Sequence, residues 1–402
     1  MNSTATDENG KFVIEAKTGS TLVISSIGYK TQNVVVDAST STIDLTLEED
    51  AIALEGVEIV AVGYGSMRKS DLTGAISSVK GDDLVKGVIS STEQALQGKV
   101  AGLAVSQSTG DPASGATLRL RGGTSLTASN NPLIVVDGIA GVDINVIQPS
   151  DIKSVDVLKD ASAAAIYGSR GANGVIIITT KSGSQKTQVV YNGYTGISEA
   201  SNNLDLLSAS QWRGYVRENN ITDAVDYGGD TNWQKELQQT AFTQSHNLSI
   251  TSGNENSNLR TSILYLNNEG VVKTTGLERL SANIAGTQYA ADKALKFDTG
   301  LFANIDKWQP LDYRIFERSF NLKVGGTLNE NPVEIQTNRK ADNERHRVLG
   351  YFKTEAKFLN DFTATVNLSL EHNALQADVY KPSYAVMEGR TERGYGQKTY
   401  AE

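Results

Sequence analysis

The stretch LKFDTGLFANID, residues 295–306, decides the fold because its side chains alternate between apolar and polar with a period of two. Successive side chains of a strand point to opposite faces, so this stretch predicts a strand with one apolar and one polar face. The stretch FTATVNLSLE, residues 362–371, repeats the pattern. Such strands are typical of an antiparallel transmembrane β-barrel with lipid outside and water inside.

About seven strands of this kind are predicted, and the connectors between them alternate in length. The predicted strands cover residues 187–198, 243–252, 257–268, 278–290, 294–306, 346–358 and 361–373. Long connectors at 199–242, 269–277 and 307–345 alternate with short ones at 253–256, 291–293 and 359–360. In an outer-membrane barrel, the loops on the outer side are long and the turns on the periplasmic side are short. Because a plugged transporter needs about 22 strands, we expect further strands downstream.

Composition excludes several classes of protein. The net charge of −9 argues against a nucleic-acid partner, which would require a basic face. Cysteine is absent, which excludes disulfides and zinc–thiolate sites. The chain opens at Met1 without a signal-peptide pattern, and no apolar run is long enough for a transmembrane helix.

The first half of the chain has a different pattern. Turn signals separate four short predicted strands at 11–16, 21–26, 31–36 and 42–47. Residues 70–183 predict a mixed α/β block, with helices at 92–99 and 161–167 and strands at 117–121, 132–136, 152–158 and 174–180. All but four of the Phe, Trp and Tyr residues follow Lys181, so a domain boundary is expected near that residue.

A series of ordered motifs runs through this first half. They are VAVGYG at 60–65, KSDLTGA at 69–75, LQGKVAGL at 96–103, RLRG at 119–122, PLIVVDG at 132–138 and VLKDASAAAIYGSRGANGVI at 157–176. Together they resemble the plug of SusC-like (SusC/RagA) TonB-dependent outer-membrane transporters of Bacteroidetes. The head, with DENGKF at 7–12 and IGYKT at 27–31, is similar to a carboxypeptidase-regulatory-like β domain.

The resemblance implies four regions and a function. Residues 1–49 would be a partial carboxypeptidase-regulatory-like β domain, 50–69 a linker, 70–183 the plug, and 184–402 the N-terminal part of the transmembrane β-barrel. It implies active nutrient import across the cell outer membrane without enzymatic activity or a cofactor, with a glycan oligosaccharide favoured over a peptide. The implied partners are a SusD-like substrate-binding lipoprotein, outer-membrane lipid and the TonB–ExbB–ExbD system, with plug and N-terminal domain facing the periplasm.

Two alternatives remain open at this stage. One is a TonB-dependent receptor of the same fold that signals to an anti-sigma factor. The other is a secreted β-rich adhesin or enzyme, which lacks support because no catalytic constellation is visible. His246, His346 and His372 lie too far apart for metal-ligand spacing, and Asp137 and Asp160 are interpreted as turn and cap residues. We therefore predict neither catalytic residues nor a metal site.

One extended, β-branched segment is the candidate TonB contact. An exposed extended peptide can add a strand to a partner's sheet through main-chain hydrogen bonds. The alternative interpretation is an ordinary linker or a first plug strand. The candidate residues are Val57, Glu58, Ile59, Val60, Ala61, Val62, Gly63 and Tyr64.

Two plug arginines, Arg121 and Arg170, lie inside the matched motifs and are the candidates for holding the plug to acidic groups of the barrel wall. The alternative is solvated surface charge, worth about 0–1 kcal/mol each. Trp308, just past a predicted strand end, is expected at the membrane interface. A plug that must be displaced predicts a polar, hydrated plug–barrel boundary.

Overall fold

The computed structural model describes residues 4, 6–7, 10–26, 29, 31–37, 42–47, 59–62, 65–68, 76–84, 86–120, 130–159, 165–311, 332–358, 362–381 and 395–401. The chain forms two compact units. One comprises residues 1–60 and 66–73, and the other comprises residues 61–65 and 74–402.

The described residues of the first unit include an antiparallel strand pair, β1 (Thr21–Ile24) and β2 (Gln32–Val35). The predicted strands at 11–16 and 42–47 are wrong, since both stretches are described without strand structure. A strand needs a hydrogen-bonded neighbour, and an apolar alternation cannot supply one. Val13 is accordingly 88% exposed.

A short hairpin follows, formed by β3 (Ile59–Val62) and β4 (Gly65–Arg68).

The plug is built on a five-stranded sheet with the order β5-β10-β11-β8-β9. Strand β11 pairs parallel with β8, and the other pairs are antiparallel. Strands β10 and β11 are buried along most of their length because their apolar runs are covered on both faces. A separate pair is formed by β6 and β7. The bounds are β5 Ile76–Lys80, β6 Ala104–Ser106, β7 Thr117–Arg119, β8 Leu133–Val136, β9 Ile139–Ala140, β10 Ile152–Leu158 and β11 Val175–Thr180.

Helix α1 (Thr92–Ala95) is shorter than the predicted helix over 92–99. Ser91 and Gln94 form a capping box at its start. At the end of this helix the backbone hydrogen bonds span three residues instead of four: the Leu96 N–H donates to the Glu93 carbonyl at 3.1 Å. Gly98, at φ +71°, then ends the helical path.

The second predicted plug helix is also different in the structure. Of the range 161–167, residues 161–164 lie outside the described residues. Ala165–Gly171 forms 3₁₀ turns interrupted at Gly168.

Eight antiparallel strands follow, each paired with its neighbour in sequence order. The fold class is confirmed, and the sheet has one strand more than the seven predicted. The additional strand, β19, is short and polar, and its alternation is too brief to identify it. The bounds are β12 Gln188–Ser198, β13 Ala241–Gly253, β14 Ser257–Glu269, β15 Gly276–Ala290, β16 Leu295–Gln309, β17 Lys340–Phe358, β18 Phe362–Lys381 and β19 Tyr395–Ala401.

In the central strands of this sheet, called the wall below, many inward polar side chains are buried and many outward apolar side chains are exposed. Along β13 the buried polar positions are Thr243, Ser245, Asn247, Ser249 and Thr251. The alternate positions expose large apolar side chains, including Phe242, Leu248 and Ile250. The predicted two-faced alternation is confirmed. A surface of this kind suits lipid outside and a polar interior.

The inner face also carries an apolar patch. Phe302 of β16 and Leu349 of β17 are buried in the plug's own hydrophobic cluster, beside Val136, Val155 and Ile178. The contact between plug and wall is therefore mixed, rather than polar throughout as the sequence suggested. Burial of these two side chains fixes the plug's position against the wall.

Within the described residues, the long connectors carry the helices α2 (Ala209–Glu218), α3 (Trp233–Leu237) and α4 (Pro332–Asn338). Among the residues described, none of the helices has the length and apolar character needed to cross a membrane.

Candidate functional site at the plug–wall contact

The plug segment 143–151 supplies the polar groups that contact the wall. Two 3₁₀ turns, Ile144–Val146 and Pro149–Asp151, place these groups in succession along one edge of the plug. The Asp143 carboxylate caps the first turn by accepting from the Asn145 N–H at 3.0 Å. Pro149 begins the second turn, where its missing N–H costs nothing.

Asp151 is the most completely bound of these groups, and its side chain is 4% exposed. Its carboxylate accepts hydrogen bonds from Arg260 Nη2 at 2.7 Å, Ser262 Oγ at 2.6 Å and Asn283 Nδ2 at 2.5 Å. All three donors belong to β14 and β15 of the wall. A buried carboxylate with three donors and an opposite charge is well compensated for its desolvation.

A second ionic contact joins Asp143 of the plug to Arg347 of the wall, and Asp306 of the wall links Arg347 to Arg279. The Arg279 guanidinium holds Asp306 in a two-bond fork, at 2.6 and 2.9 Å. Arg347 donates to Asp306 through Nη1 at 2.5 Å and to Asp143 of the plug through Nε at 2.7 Å. Arg279 also reaches the Ser90 carbonyl at 3.4 Å. Arg279, Asp306, Arg347 and Asp143 thus form one chain of alternating charge, called the charge chain below.

Neutral groups extend the contact between these two ionic points. Gln148 Nε2 donates to Ser281 Oγ at 2.6 Å, and Asn304 Nδ2 donates to the Asn145 carbonyl at 2.7 Å. Every wall partner named so far lies on β14, β15, β16 or β17. The segment 143–151 therefore holds the plug to four adjacent strands.

Behind this contact lies a buried carboxyl group, Glu93. It accepts from Asn145 Nδ2 at 2.7 Å through one oxygen, while its other oxygen has no partner within the described structure. Burial raises the pKa of Glu93 above its ordinary value of 4.5, and the nearby Asp143 charge adds to the rise. Hydrogen bonds from Ser91 and Asn145 oppose the shift.

We predict that Glu93→Gln makes the full-length protein more stable at neutral pH. The folded protein holds the Glu93 proton more tightly than the unfolded chain, so stability falls as the pH rises from 4.5 through the raised pKa. Glutamine keeps the acceptor for Asn145 and cannot ionise. Melting temperatures in detergent, measured from pH 4 to 8, should show a gain that grows with pH and then levels off. An equal gain at every pH would contradict the prediction.

The predicted latch arginines are not among these groups. Arg121 lies outside the described residues. Arg170 is exposed, and its guanidinium lies against Gly141, where a Cβ would come within 2.1 Å of Nη2. Ion pairing of either arginine with the wall stays a prediction. In the ionic contacts that the structure describes here, the plug supplies the carboxylates and the wall supplies the arginines.

A sequence signal for these wall arginines existed. Arg260, Arg279 and Arg347 occupy inward positions of their strands, in phase with polar residues such as Ser262, Ser281 and Asn343. A cation there needs an acid from elsewhere in the fold. Nothing in the sequence indicated that the acids would come from 143–151.

Part of the candidate TonB segment, and Asp137, can also be placed. Ile59, Val60, Ala61 and Val62 form strand β3, whereas Val57, Glu58, Gly63 and Tyr64 lie outside the described residues. Asp137 is a turn residue, as interpreted, at φ +49° between β8 and β9. It accepts from the Thr180 N–H and hydroxyl at 3.0 and 2.8 Å, and from the Tyr351 hydroxyl of the wall at 3.3 Å.

The expectation that Trp308 sits at the membrane interface is wrong. Trp308 pairs with Leu277 and shares the inward face of β16 with Asp306. It lines a cavity between plug and wall and lies under the guanidinium of Arg345, 5.4 Å from the ring centroid. Its place near a strand end indicated where it lies along the strand axis, but not which face of the sheet carries its side chain.

These features define a class of protein. A wall of antiparallel strands with an apolar outer face and a polar inner face holds an α/β domain by ion pairs and hydrogen bonds. This is the arrangement of a plugged transmembrane β-barrel.

Comparisons with known proteins agree with this class. Residues 68–175 match the TonB-dependent Receptor Plug Domain, and residues 1–59 match the CarboxypepD_reg-like domain. The chain is 40% identical to the TonB-dependent receptor SusC of Bacteroides thetaiotaomicron over 308 residues, covering 73% of this chain and 30% of SusC. It is 41% identical to the TonB-dependent receptor P26 of Formosa agariphila, covering 69% of this chain and 29% of P26.

A solved structure shows the same fold. The RagAB peptide importer in its open-open state matches with a TM-score of 0.74 at 22% identity, covering 85% of this chain and 45% of that chain. The chain belongs to the SusC-like family of TonB-dependent receptors. It spans about 30% of the length of SusC.

Proposed function

We propose that the protein carrying this chain imports a nutrient across the cell outer membrane, driven by TonB. The plug and N-terminal domain face the periplasm, and a SusD-like lipoprotein covers the opposite end, where the long connectors lie. A glycan oligosaccharide is favoured as the nutrient over a peptide. The family to which the chain belongs supports the TonB dependence.

The observation that carries this proposal is the chemistry of the plug–wall contact. Charged and hydrogen-bonded groups at Asp143, Asn145, Gln148 and Asp151 hold the plug to the wall. Such bonds can be replaced by bonds to water when the plug moves, whereas a continuous dry core would resist displacement. A plug held in this way suits a channel that opens on demand.

We further propose that residues 57–64 are pulled by TonB, which is energised by ExbB and ExbD. Strand β3, within this segment, is four residues long and pairs with β4 in a two-stranded hairpin. A two-stranded hairpin is marginally stable alone, so β3 can exchange β4 for the edge of a partner's sheet.

We expect Val60→Pro to abolish uptake by cells that express the full-length protein. Proline removes the backbone N–H and fixes φ, so it prevents strand pairing. Val60→Ala keeps the backbone donor and is the matched control. Uptake of labelled oligosaccharides and labelled peptides should fall below about a tenth of wild type in the proline variant only.

Surface binding of the probes and the amount of protein in the outer membrane are measured in parallel. They should be unchanged, because the substitution acts on coupling to TonB. Deletion of residues 57–65 gives a second test. Uptake at the wild-type rate after this deletion would refute the TonB contact.

A further inference from the structure

A small cavity lies between the plug and the wall, beside strands β15 to β17, and measures about 160 Å³. Its wall side includes Leu277, the second residue of β15, and Trp308, the residue before β16 ends. The connectors that attach at these two strand ends are among the long ones. The cavity therefore lies at the end of the sheet that the proposed lipoprotein covers.

The charged groups that line this cavity do not balance. Three guanidinium groups, those of Arg279, Arg345 and Arg347, face two carboxylates, those of Asp143 and Asp306. Both carboxylates belong to the charge chain, where Arg279 and Arg347 already bind them. The cavity therefore carries one positive charge in excess, and Arg345 is the cation that the charge chain does not use.

Arg345 is half-buried and has no ion-pair partner among the described residues. Its guanidinium lies over the Trp308 ring, 5.4 Å from the centroid. This contact uses the face of the guanidinium and leaves its five N–H donors free. None of these donors makes a hydrogen bond within the described structure, and none is sealed from solvent. A half-buried guanidinium with every donor unused indicates that the cavity receives an anion.

Arg347 brings a second donor to the same cavity. Its Nε binds Asp143 and its Nη1 binds Asp306, whereas its Nη2 has no hydrogen bond within the described structure and is open to solvent. The Arg347 side chain is 6% exposed and held at two points, so the position of Nη2 is fixed. Arg345 and Arg347 point to the same face of β17 because they are two residues apart. An anion bound between them accepts hydrogen bonds from both and leaves the charge chain intact.

The plug side of the cavity is a loop that hydrogen bonds hold in place. Pro112, Ala113 and Gly115 of this loop line the cavity. One oxygen of the Asp111 carboxylate accepts from the Ala113 N–H at 2.9 Å, and the other accepts from the Leu311 N–H at 3.2 Å. The cavity is smaller than the range of about 300–1,000 Å³ found for whole small molecules. It therefore suits one ionic group of a larger solute.

We propose that this cavity binds the carboxylate or sulfate group of an acidic oligosaccharide, held by the guanidinium of Arg345 and Nη2 of Arg347. The proposal rests on the import function proposed above and narrows its substrate class from oligosaccharides in general to anionic ones. The planar fork of arginine matches the oxygen atoms of either group. An uncharged sugar in the same place would leave Arg345 without an anion.

Arginine-directed chemistry tests the binding site. Purified full-length protein in detergent is treated with phenylglyoxal, which modifies accessible guanidinium groups, and modification of Arg345 is followed by mass spectrometry. Galacturonate, galactose sulfate or uncharged galactose is added to saturation at matched ionic strength. We expect the two anionic sugars to slow modification of Arg345 about tenfold or more, and galactose to change it less than about twofold.

Arg217 is the control within the same protein. It is an exposed residue of α2 and does not line the cavity. Its modification rate should stay within about twofold whichever sugar is present, because it belongs to no built anion site.

Uptake by cells tests whether the site selects the solute. Arg345→Gln is introduced into the full-length protein, and Arg217→Gln, which removes one positive charge from a long connector, is the matched control. Labelled uronate, sulfated and uncharged oligosaccharides of equal length are supplied separately. Wild type and Arg217→Gln should prefer an acidic probe about tenfold or more, because a charged hydrogen-bonded partner is lost with the uncharged one. Arg345→Gln should lose this preference at an unchanged level of protein in the outer membrane.

Several outcomes would overturn the anion site. They are no modification of Arg345 in the sugar-free protein, equal protection by galactose and the anionic sugars, no preference for acidic probes in wild type, and an unchanged preference in Arg345→Gln. Uptake of labelled acidic peptides in place of acidic oligosaccharides would also contradict the proposal. If Arg345→Gln fails to assemble, Arg345→Lys replaces it, since lysine keeps the charge, loses the fork and should weaken the preference. Protection of Arg345 by the anionic sugars without uptake of any probe would instead contradict the import function.

Discussion

Replacing Asp151 with alanine should loosen the plug from the wall and give the largest effect of any single substitution on the plug side. The change leaves Arg260, which is 11% exposed, without its carboxylate, and it removes an acceptor from Ser262 and Asn283. Breaking a buried ion pair by removing one partner costs about 3–5 kcal/mol. Cells expressing the full-length variant should admit a large hydrophilic antibiotic that the wild type excludes.

Asp82→Ala is the matched control for this experiment. Asp82 is also a plug carboxylate with a cationic partner, Lys181 at 3.5 Å, but it is 85% exposed. An exposed pair contributes about 0–1 kcal/mol, so antibiotic entry should stay at the wild-type level. Equal sensitivity of the two variants would show that Asp151 does not hold the plug.

Asp306→Ala should have a comparable or larger effect, and it should act on the wall as well as on the plug. Asp306 neutralises Arg279 and Arg347, whose side chains are each 6% exposed. Its loss places two buried cations close together with only Asp143 remaining in the charge chain. We expect a cost of about 3–5 kcal/mol or more, because two buried ion pairs are broken together.

The measurement is the temperature at which the full-length protein loses its compact form in detergent, followed by electrophoresis without prior boiling. Asp378→Ala is the control, because Asp378 pairs at 3.8 Å with Lys398 and both side chains are substantially exposed. Asp306→Asn keeps the shape and removes the charge, so it should fall between Asp306→Ala and wild type. A melting temperature for Asp306→Ala equal to that of the Asp378→Ala control would refute the role of the charge chain.

The wall was largely predictable because strand alternation is a local property. The position of each residue from 295 to 306 in the alternation predicts which face of the sheet carries its side chain. The structure places Phe302, Asn304 and Asp306 on the inward face, as the period of two requires. Strand β19 was missed because its seven residues are polar and it depends on β18 for pairing. The two absent head strands were overpredicted for the opposite reason, since their alternation lacked a neighbour.

The contact site was not predictable to the same degree. Asp151 meets Arg260 across 109 residues, and Asp143 meets Arg347 across 204. Sequence motifs favoured Arg121 and Arg170 as the plug's ionic groups, because arginines inside matched motifs were the visible candidates. Turn residues at 143–151 carry no periodic signal, and their partners are chosen by where the plug sits.

The sequence by itself determined the faces of the strands, the alternation of long and short connectors and, through its ordered motifs, the family. These depend on neighbours within a few residues, where period, turn chemistry and motif spacing act directly. Tertiary structure alone decided which charges meet, and that the plug supplies carboxylates to wall arginines. Pairing energies depend on distance and burial across the fold, and a linear chain contains neither quantity until it is folded.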